Sequence, residues 1–479
     1  MKDLWTVEAL VAAMRAGREG PLPRAITGIS IDSRTVREGE AFFAIRGATH
    51  DGHDFAAAAL HGGAALAVVA RSRRDCAPEG APLILVDDVL AALGDTARAA
   101  RRRSGAGIVA VTGSVGKTST KEALALALGA SGETHASAAS FNNHWGVPLS
   151  LARMAATARY GVFEIGMNHA GEIVPLVAMV RPHVAIVTAV EPVHLEHFAS
   201  VEAIADAKSE IFSGLEPGGV AVVCRDNPHY ERLARRAREV GTATVVSFGE
   251  HKTADTRLVN CVLHPDCSTV EASILGEPVT YKIGTPGRHF VMNSLAVLTA
   301  VRLLGADLAC AAVALAHQAP ATGRGTRVPL EFPTGRALLI DESYNANPTS
   351  MRAALALLAQ AAIGPGGRRI AVLGEMLELG PGAEELHRDL VDAVRQHGID
   401  LVYCAGPLMA ALWEALPSAR RGGYAASATE LEPQVAAAIR PGDAVMVKAS
   451  NGSRMGPLVK ALVQRHSVSR APDPAPVQG

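Results

Sequence analysis

The chain has 479 residues, length for about two to four domains, and its 48% hydrophobic against 19% charged residues marks a globular rather than disordered protein. Lys plus Arg is 46 and Asp plus Glu is 47, a net charge of -1, so no basic field exists to hold nucleic acid non-specifically, and 4% aromatics leave little for base stacking. Charges at Lys2, Asp3 and Glu8 exclude a secretory signal at the start, and apolar runs such as residues 63–70 fall short of the ~20 residues a bilayer needs. The expectation is a cytoplasmic protein whose six scattered cysteines are reduced.

Along the chain, short apolar runs at 41–45, 67–70 and 83–86 read as strands, followed by a helix over 91–103. That helix ends in Arg101-Arg102-Arg103, which reads as a solvated basic end suited to the helix dipole. Ser104-Gly105-Ala106-Gly107 reads as a linker. A strand at 108–112, a glycine loop and a helix at 117–128 then form a β-loop-α unit. Strands are expected at 161–165, 184–189, 220–224 and 244–248, with helical patterns between most of them, which predicts a parallel sheet covered by helices on both faces. After a break at 320–325, strands at 337–341, 369–373, 401–405 and 444–447 alternate with helices from Pro348 and from about Glu384. The reading is α/β in three domains. Residues 1–105 form a smaller α/β domain, 106–320 a central P-loop-type parallel-sheet domain and 321–466 a Rossmann-like domain. The Pro-rich 467–479 read as a disordered tail. No internal repeat is visible.

Gly113-Ser114-Val115-Gly116-Lys117-Thr118-Ser119 lies between a strand and a helix. Glycines let backbone approach phosphate oxygens, and the helix N-terminus aims N–H groups at the anion. Lys117 can neutralise outer phosphates and the Thr118 hydroxyl can ligate Mg2+. The usual phosphate-loop pattern wants glycine at 111, where this chain has Val111. The loop alone also fits a nucleotide switch that changes shape without ligation. Glu164 ends an expected strand, and a carboxylate there suits a hard oxygen-seeking ion or simply water. Asn142-Asn143 could bind substrate or order a loop. Lys208, between Asp206 and Glu210, reads on its own as a solvated helical ion pair.

The variant loop, Asn142-Asn143-x-x-Gly146-x-Pro148, Glu164-Ile165-Gly166-Met167 with His169 and Glu172, His194-Leu195-Glu196 with Lys208, and Asp341-Glu342-Ser343-Tyr344-Asn345-Ala346-Asn347-Pro348 occur in this order. Together they resemble the Mur ligase family over roughly residues 25–460, and within it the branch that adds D-alanyl-D-alanine to a UDP-linked muramoyl tripeptide. The last of these blocks discriminates best against other Mur ligases and folylpolyglutamate synthetases. The resemblance implies an ATP-dependent amide ligase of peptidoglycan synthesis that works through an acyl phosphate, without nucleic acid or membrane insertion and as a monomer. It implies Lys117, Lys208, Glu164 and His194 as catalytic residues. Thr118, Glu164, His194 and Lys208 would hold a pair of Mg2+ ions, Lys208 as a carbamate.

ATP would be held by Gly113 to Ser119, by Asn293 after Gly287-Arg288-His289 and by Arg324 on the γ-phosphate. Phe290 departs from the Asn usual in that segment. The UDP-muramoyl-tripeptide and D-alanyl-D-alanine would be held by Ser33, Arg34, Arg46, Asp51, His53, Asn142, Asn143, Asp341, Tyr344, Asn345 and Asn347. Leu373-Gly374-Glu375 has Glu375 where the family has Asp, and Lys448 to Arg454 is an expanded form of its Lys-Gly-Ser-Arg.

Overall fold

The computed structural model describes residues 2–47, 49–138, 140–193, 195–241 and 244–466. The expected tail at 467–479 and the expected metal contact His194 lie outside the described residues. Among the described residues, three sheets of more than two strands carry the fold, with five, nine and six strands. Among the described residues no helix is long and apolar enough to cross a membrane.

The five-stranded sheet runs Gly17–Glu19, Leu83–Val86, Leu66–Ala70, Glu40–Phe43, Gly28–Ser30, with only the first edge strand antiparallel. The helix Val89–Arg103 follows, its N-terminus capped by the Asp88 carboxylate accepting from Ala91 N at 2.7 Å. Its basic end corrects the sequence reading, because Arg101 is only 6% exposed. Arg101 donates from Nε to Val180 O (2.9 Å) and from Nη2 to Arg181 O (2.9 Å) and Glu216 Oε1 (3.0 Å). Arg103 lies over the Trp5 ring at 3.4 Å, and Trp5 Nε1 donates to Ala152 O at 2.9 Å. Arg153 returns the tie by donating to Ile29 O at 2.7 Å. These bonds satisfy backbone carbonyls at helix ends and fix the first sheet against the second, and one apolar core runs through both.

The nine-stranded sheet has the order Glu277–Ile283, Ser268–Ile274, Thr256–Leu263, Thr244–Gly249, Val220–Cys224, Val184–Val187, Gly107–Thr112, Tyr160–Glu164, Thr134–Ala136. Its seven strands from Thr256–Leu263 onward in that order pair in parallel. The helices Lys117–Gly129 and Arg288–Leu303 pack on one face, and Gly146–Ala152, Ile173–Val180 and Val201–Ser209 on the other. The antiparallel strands after 256 were not anticipated. They are half exposed, and the tight turn at Leu275 and Gly276, both at positive φ, joins two of them. The six-stranded sheet runs Thr326–Phe332, Gly335–Glu342, Ala444–Lys448, Arg369–Gly374, Leu401–Ala405, Arg421–Ala425, parallel except for the first hairpin. Helices cover both its faces, as expected of a Rossmann-like arrangement.

Removing Arg101 leaves Glu216 half-buried without this partner and two carbonyls unsatisfied. Arg101→Ala is expected to lower unfolding free energy by about 3 kcal/mol, while exposed Arg102→Ala stays within about 0.5 kcal/mol. Denaturant titration of the two variants checks this.

Candidate active site

The strand Gly107–Thr112 pairs with Tyr160–Glu164 on one side and Val184–Val187 on the other, so three C-terminal strand edges meet at the phosphate loop. Val111 is still inside the sheet, opposite Glu164 and Ile186, which is why the first loop glycine comes at 113 rather than 111. Gly113 has φ 153° and Gly116 φ 83°. A Cβ on Gly113 would sit 2.0 Å from Thr188 Oγ1, and one on Gly116 would sit 2.8 Å from Asn293 Nδ2. Both positions therefore require glycine. The neighbouring strand end braces the loop. Thr188 Oγ1 donates to Val115 O at 2.6 Å, Ser114 N to Ala189 O at 2.8 Å, and Ser114 Oγ to Glu191 O at 3.0 Å.

Lys117 opens the helix and folds its ammonium back onto Gly113 O (2.6 Å) and Ser114 O (3.4 Å). Burial holds its pKa below the usual lysine range; Glu164 opposes that shift and Arg324 adds to it. All three groups therefore share one electrostatic neighbourhood. Thr118 is buried in the first helical turn, and Ser119 Oγ donates to Gly116 O at 3.0 Å.

Glu164 ends its strand fully buried. Its Oε1 accepts from Asn142 Nδ2 at 2.7 Å, while Oε2 is buried with no partner. A buried carboxylate oxygen with an open coordination position suits a hard cation. Among the described residues no cluster of three or more His, Cys, Asp or Glu side chains could hold a metal. The donor set thus fits Mg2+ bound by few protein oxygens and otherwise by water and phosphate, as that ion prefers. Lys208, in the last turn of Val201–Ser209, is 2% exposed rather than a solvated ion pair. Its pKa lies well below the usual lysine range, first from burial and then from the charge of Lys117.

Across a cleft of about 260 Å³, Ser114 and Lys117 face Tyr344, Asn345, Asn347, Leu377, Glu378 and Asn451. Lys448, buried in the sheet, donates to Glu342 Oε2 and Asn345 O, each at 3.0 Å, and so anchors this wall. Arg324 lies over the Tyr344 ring at 4.5 Å. Asp341 accepts from Ser343 N (3.0 Å) and Ser343 Oγ (2.6 Å), which shapes the turn after the strand.

Several residues expected to bind substrate are occupied within the protein. Asn347 is the N-cap of Pro348–Gln360, accepting from Ser350 N at 2.8 Å. Asn143 accepts from Gly146 N at 2.9 Å and orders its own loop. His53 accepts from Ala70 N at Nε2 (2.9 Å), so its Nδ1 carries the proton and donates to Asp51 at 2.6 Å. Asp51 also receives Arg73 at 2.6 Å. Arg34 and Arg46 are exposed, and Arg34 forks onto Asp32 at 2.9 and 2.7 Å, holding that carboxyl down to about 2. Ser33 is half-buried beside them and far from the phosphate loop in sequence. Phe290 is core, which accounts for an apolar residue at that place, and Glu375 accepts from Leu408 N at 3.0 Å. Arg454 is exposed at positive φ. Sequence reading missed Thr188 and Glu191. The signal was their place at the C-terminal edge of a parallel strand, where open α/β sheets put ligands.

Residues 111–301 match the Mur ligase middle domain, 325–451 the glutamate ligase domain of Mur ligases, and 25–101 the catalytic domain of the Mur ligase family. The chain belongs to the Mur ligase family, whose members are ATP-dependent ligases. It is 32% identical over 431 residues, 90% of this chain and 94% of the relative, to UDP-N-acetylmuramoyl-tripeptide--D-alanyl-D-alanine ligase of Rickettsia prowazekii. Its structure superimposes on MurF of Acinetobacter baumannii with TM-score 0.82 at 29% identity, covering 96% of this chain and 99% of that one. Against MurF of Thermotoga maritima in complex with ADP the TM-score is 0.74 at 27% identity, covering 91% and 98%.

The Lys208 shift has a stability consequence. Its folded pKa is depressed, so between that value and the unfolded ~10.4 the unfolded chain binds more protons, and stability rises with pH through this window. In CO2-free buffer Lys208→Met is expected to melt higher than the unsubstituted protein at pH 7, with the gap narrowing toward pH 10. Melting curves across that range test it.

Proposed function

We propose that this chain ligates D-alanyl-D-alanine to UDP-N-acetylmuramoyl-tripeptide at the expense of ATP, giving the UDP-linked pentapeptide of peptidoglycan synthesis. The observation that carries the reading is the shared cleft, in which Lys117 of the phosphate loop faces Tyr344 and Asn345 of the third sheet's first strand-to-helix turn. The match over 90% of the chain to a UDP-N-acetylmuramoyl-tripeptide--D-alanyl-D-alanine ligase supports the choice of acceptor.

In this reading residues 1–105 hold the UDP-sugar, with exposed Arg46 open to pyrophosphate or sugar oxygens and Ser33 and Arg34 turning to them as Arg34 leaves Asp32. Asp51 and His53 shape that domain from within. Residues 106–320 hold ATP on Gly113 to Ser119, with Asn293 packed against the loop beside the base. Residues 321–466 bring Asp341, Tyr344 and Asn345 to the dipeptide. Phosphoryl transfer needs alignment and charge neutralisation more than covalent protein chemistry. Lys117 swings from its loop carbonyls to the outer phosphates, and Arg324 meets the γ-phosphate with a guanidinium fork. The tripeptide carboxylate takes the γ-phosphoryl group, giving an acyl phosphate and ADP. The amine of D-alanyl-D-alanine adds to the carbonyl carbon, and the tetrahedral intermediate expels inorganic phosphate.

Mg2+, when bound, offsets charge on the transferring phosphoryl oxygens. Thr118 and the free Oε2 of Glu164 would hold one ion, with Asn142 orienting the carboxylate. Lys208 and His194 would contribute to a second. A neutral Lys208 amine is the form that reacts with CO2, and its carbamate would place an anion beside Lys117. The enzyme acts in the cytoplasm as a monomer.

Lys117→Ala is expected to lower phosphate release by at least about a thousandfold, with the fold unchanged by circular dichroism. Wild-type protein should release phosphate only with both UDP-muramoyl-tripeptide and D-alanyl-D-alanine present. Release supported equally by D-glutamate on a shorter acceptor would move the step within the family. Loss of bicarbonate should slow the wild type and spare a Lys208→Glu variant that retains activity.

A further inference from the structure

The bracing of the phosphate loop does not end in its own domain. Glu191 is held by Ser114 through two bonds, Ser114 Oγ to Glu191 O at 3.0 Å and Glu191 N to Ser114 Oγ at 2.9 Å. From that fixed backbone the Glu191 carboxylate reaches the third sheet's domain, where Thr349 Oγ1 donates to its Oε2 at 2.9 Å. Thr349 is the second residue of Pro348–Gln360, the helix that Asn347 caps and that follows directly on Tyr344 and Asn345. The carboxylate therefore also meets the positive end of that helix. Val193, two residues on, lines the cleft with Ser114, Lys117 and Tyr344.

We infer that Glu191 and Thr349 form an interdomain latch, a pair of positioning residues that registers the dipeptide-facing wall against the phosphate loop. One rigid path then runs from Lys117's loop through Ser114, Glu191 and Thr349 to the Asn345 turn. The Glu191 and Thr349 side chains bond each other rather than a reacting atom, and phosphate-loop geometry is set by the Glu191 backbone, which side-chain replacement leaves in place. Losing the latch thus weakens closure and acceptor use while sparing nucleotide binding. The inference rests on the ligase reading for its acceptor, but closure itself can be read without catalysis.

The test compares Thr349→Val, Thr349→Ser, Glu191→Ala and the double variant Glu191→Ala/Thr349→Val. Full-length protein is examined by small-angle X-ray scattering with a non-hydrolysable ATP analogue and Mg2+, and by steady-state kinetics. A bond from a hydroxyl to a charged acceptor corresponds to roughly tenfold or more in the closed-to-open ratio. Thr349→Val and Glu191→Ala should each expand the nucleotide-bound particle and raise KM for D-alanyl-D-alanine about tenfold. Thr349→Ser should restore both, the double variant should be no worse than either single, and nucleotide Kd should stay within about twofold. Compact particles with unchanged KM in Thr349→Val would overturn the latch, as would additive losses in the double variant. Expansion in a protein that ligates some other acceptor would keep the latch and refute the assignment of D-alanyl-D-alanine, so the two failures are separable.

Discussion

A lysine ammonium folded onto its own loop is the interaction on which the site depends. Lys117 donates to the carbonyls of Gly113 and Ser114, which is possible only because two glycines at positive φ let the chain turn tightly under Thr188 and Asn293. Holding that charge away from water is costly, and the surroundings respond in kind. Glu164 supplies the opposing charge from the next strand, while Lys208 is driven toward its neutral form by burial and by Lys117 itself. A polyphosphate is the anion such a loop is shaped to receive.

The same constraint explains how the three sheets cooperate. The parallel strands of the central sheet bring Val111, Glu164 and Thr188 to one edge because their registers are aligned. Buried arginines tie the first sheet to this body through backbone carbonyls, which makes it a firm base for a large substrate. The third sheet instead meets the loop across an open cleft and by a single-atom contact such as that of Thr349. Firm attachment on one side and light contact on the other fit a ligase that must admit three substrates and then close.

Much of this was legible in the residues. The glycine loop is legible through residue type and spacing, the carboxylate at 164 and the Asp341–Pro348 block take a meaning only from the resemblance to Mur ligases, and alternating apolar runs give the central and third sheets. The antiparallel strands after 256 were not legible, because a half-exposed strand has little apolar signal beyond its turn residues. Burial of Arg101 and Lys208 was also hidden. Both are decided by which helix packs over them, and a charged residue reads as solvated until its tertiary partners are known. His53 and Asn347 show the converse. They have residue types that suit ligand binding, yet the His53 ring nitrogens are spent on Ala70 and Asp51, and the Asn347 side-chain oxygen on Ser350.

The central claim is that a carboxylate is phosphorylated beside Lys117 before an amine attacks it. Tripeptide labelled with 18O in its terminal carboxylate, incubated with ATP, Mg2+ and D-alanyl-D-alanine, tests that order of events. Mass spectrometry of the released phosphate should show one labelled oxygen for each pentapeptide formed. Unlabelled phosphate would mean that ATP is hydrolysed without passing through the acyl phosphate, and would contradict the account.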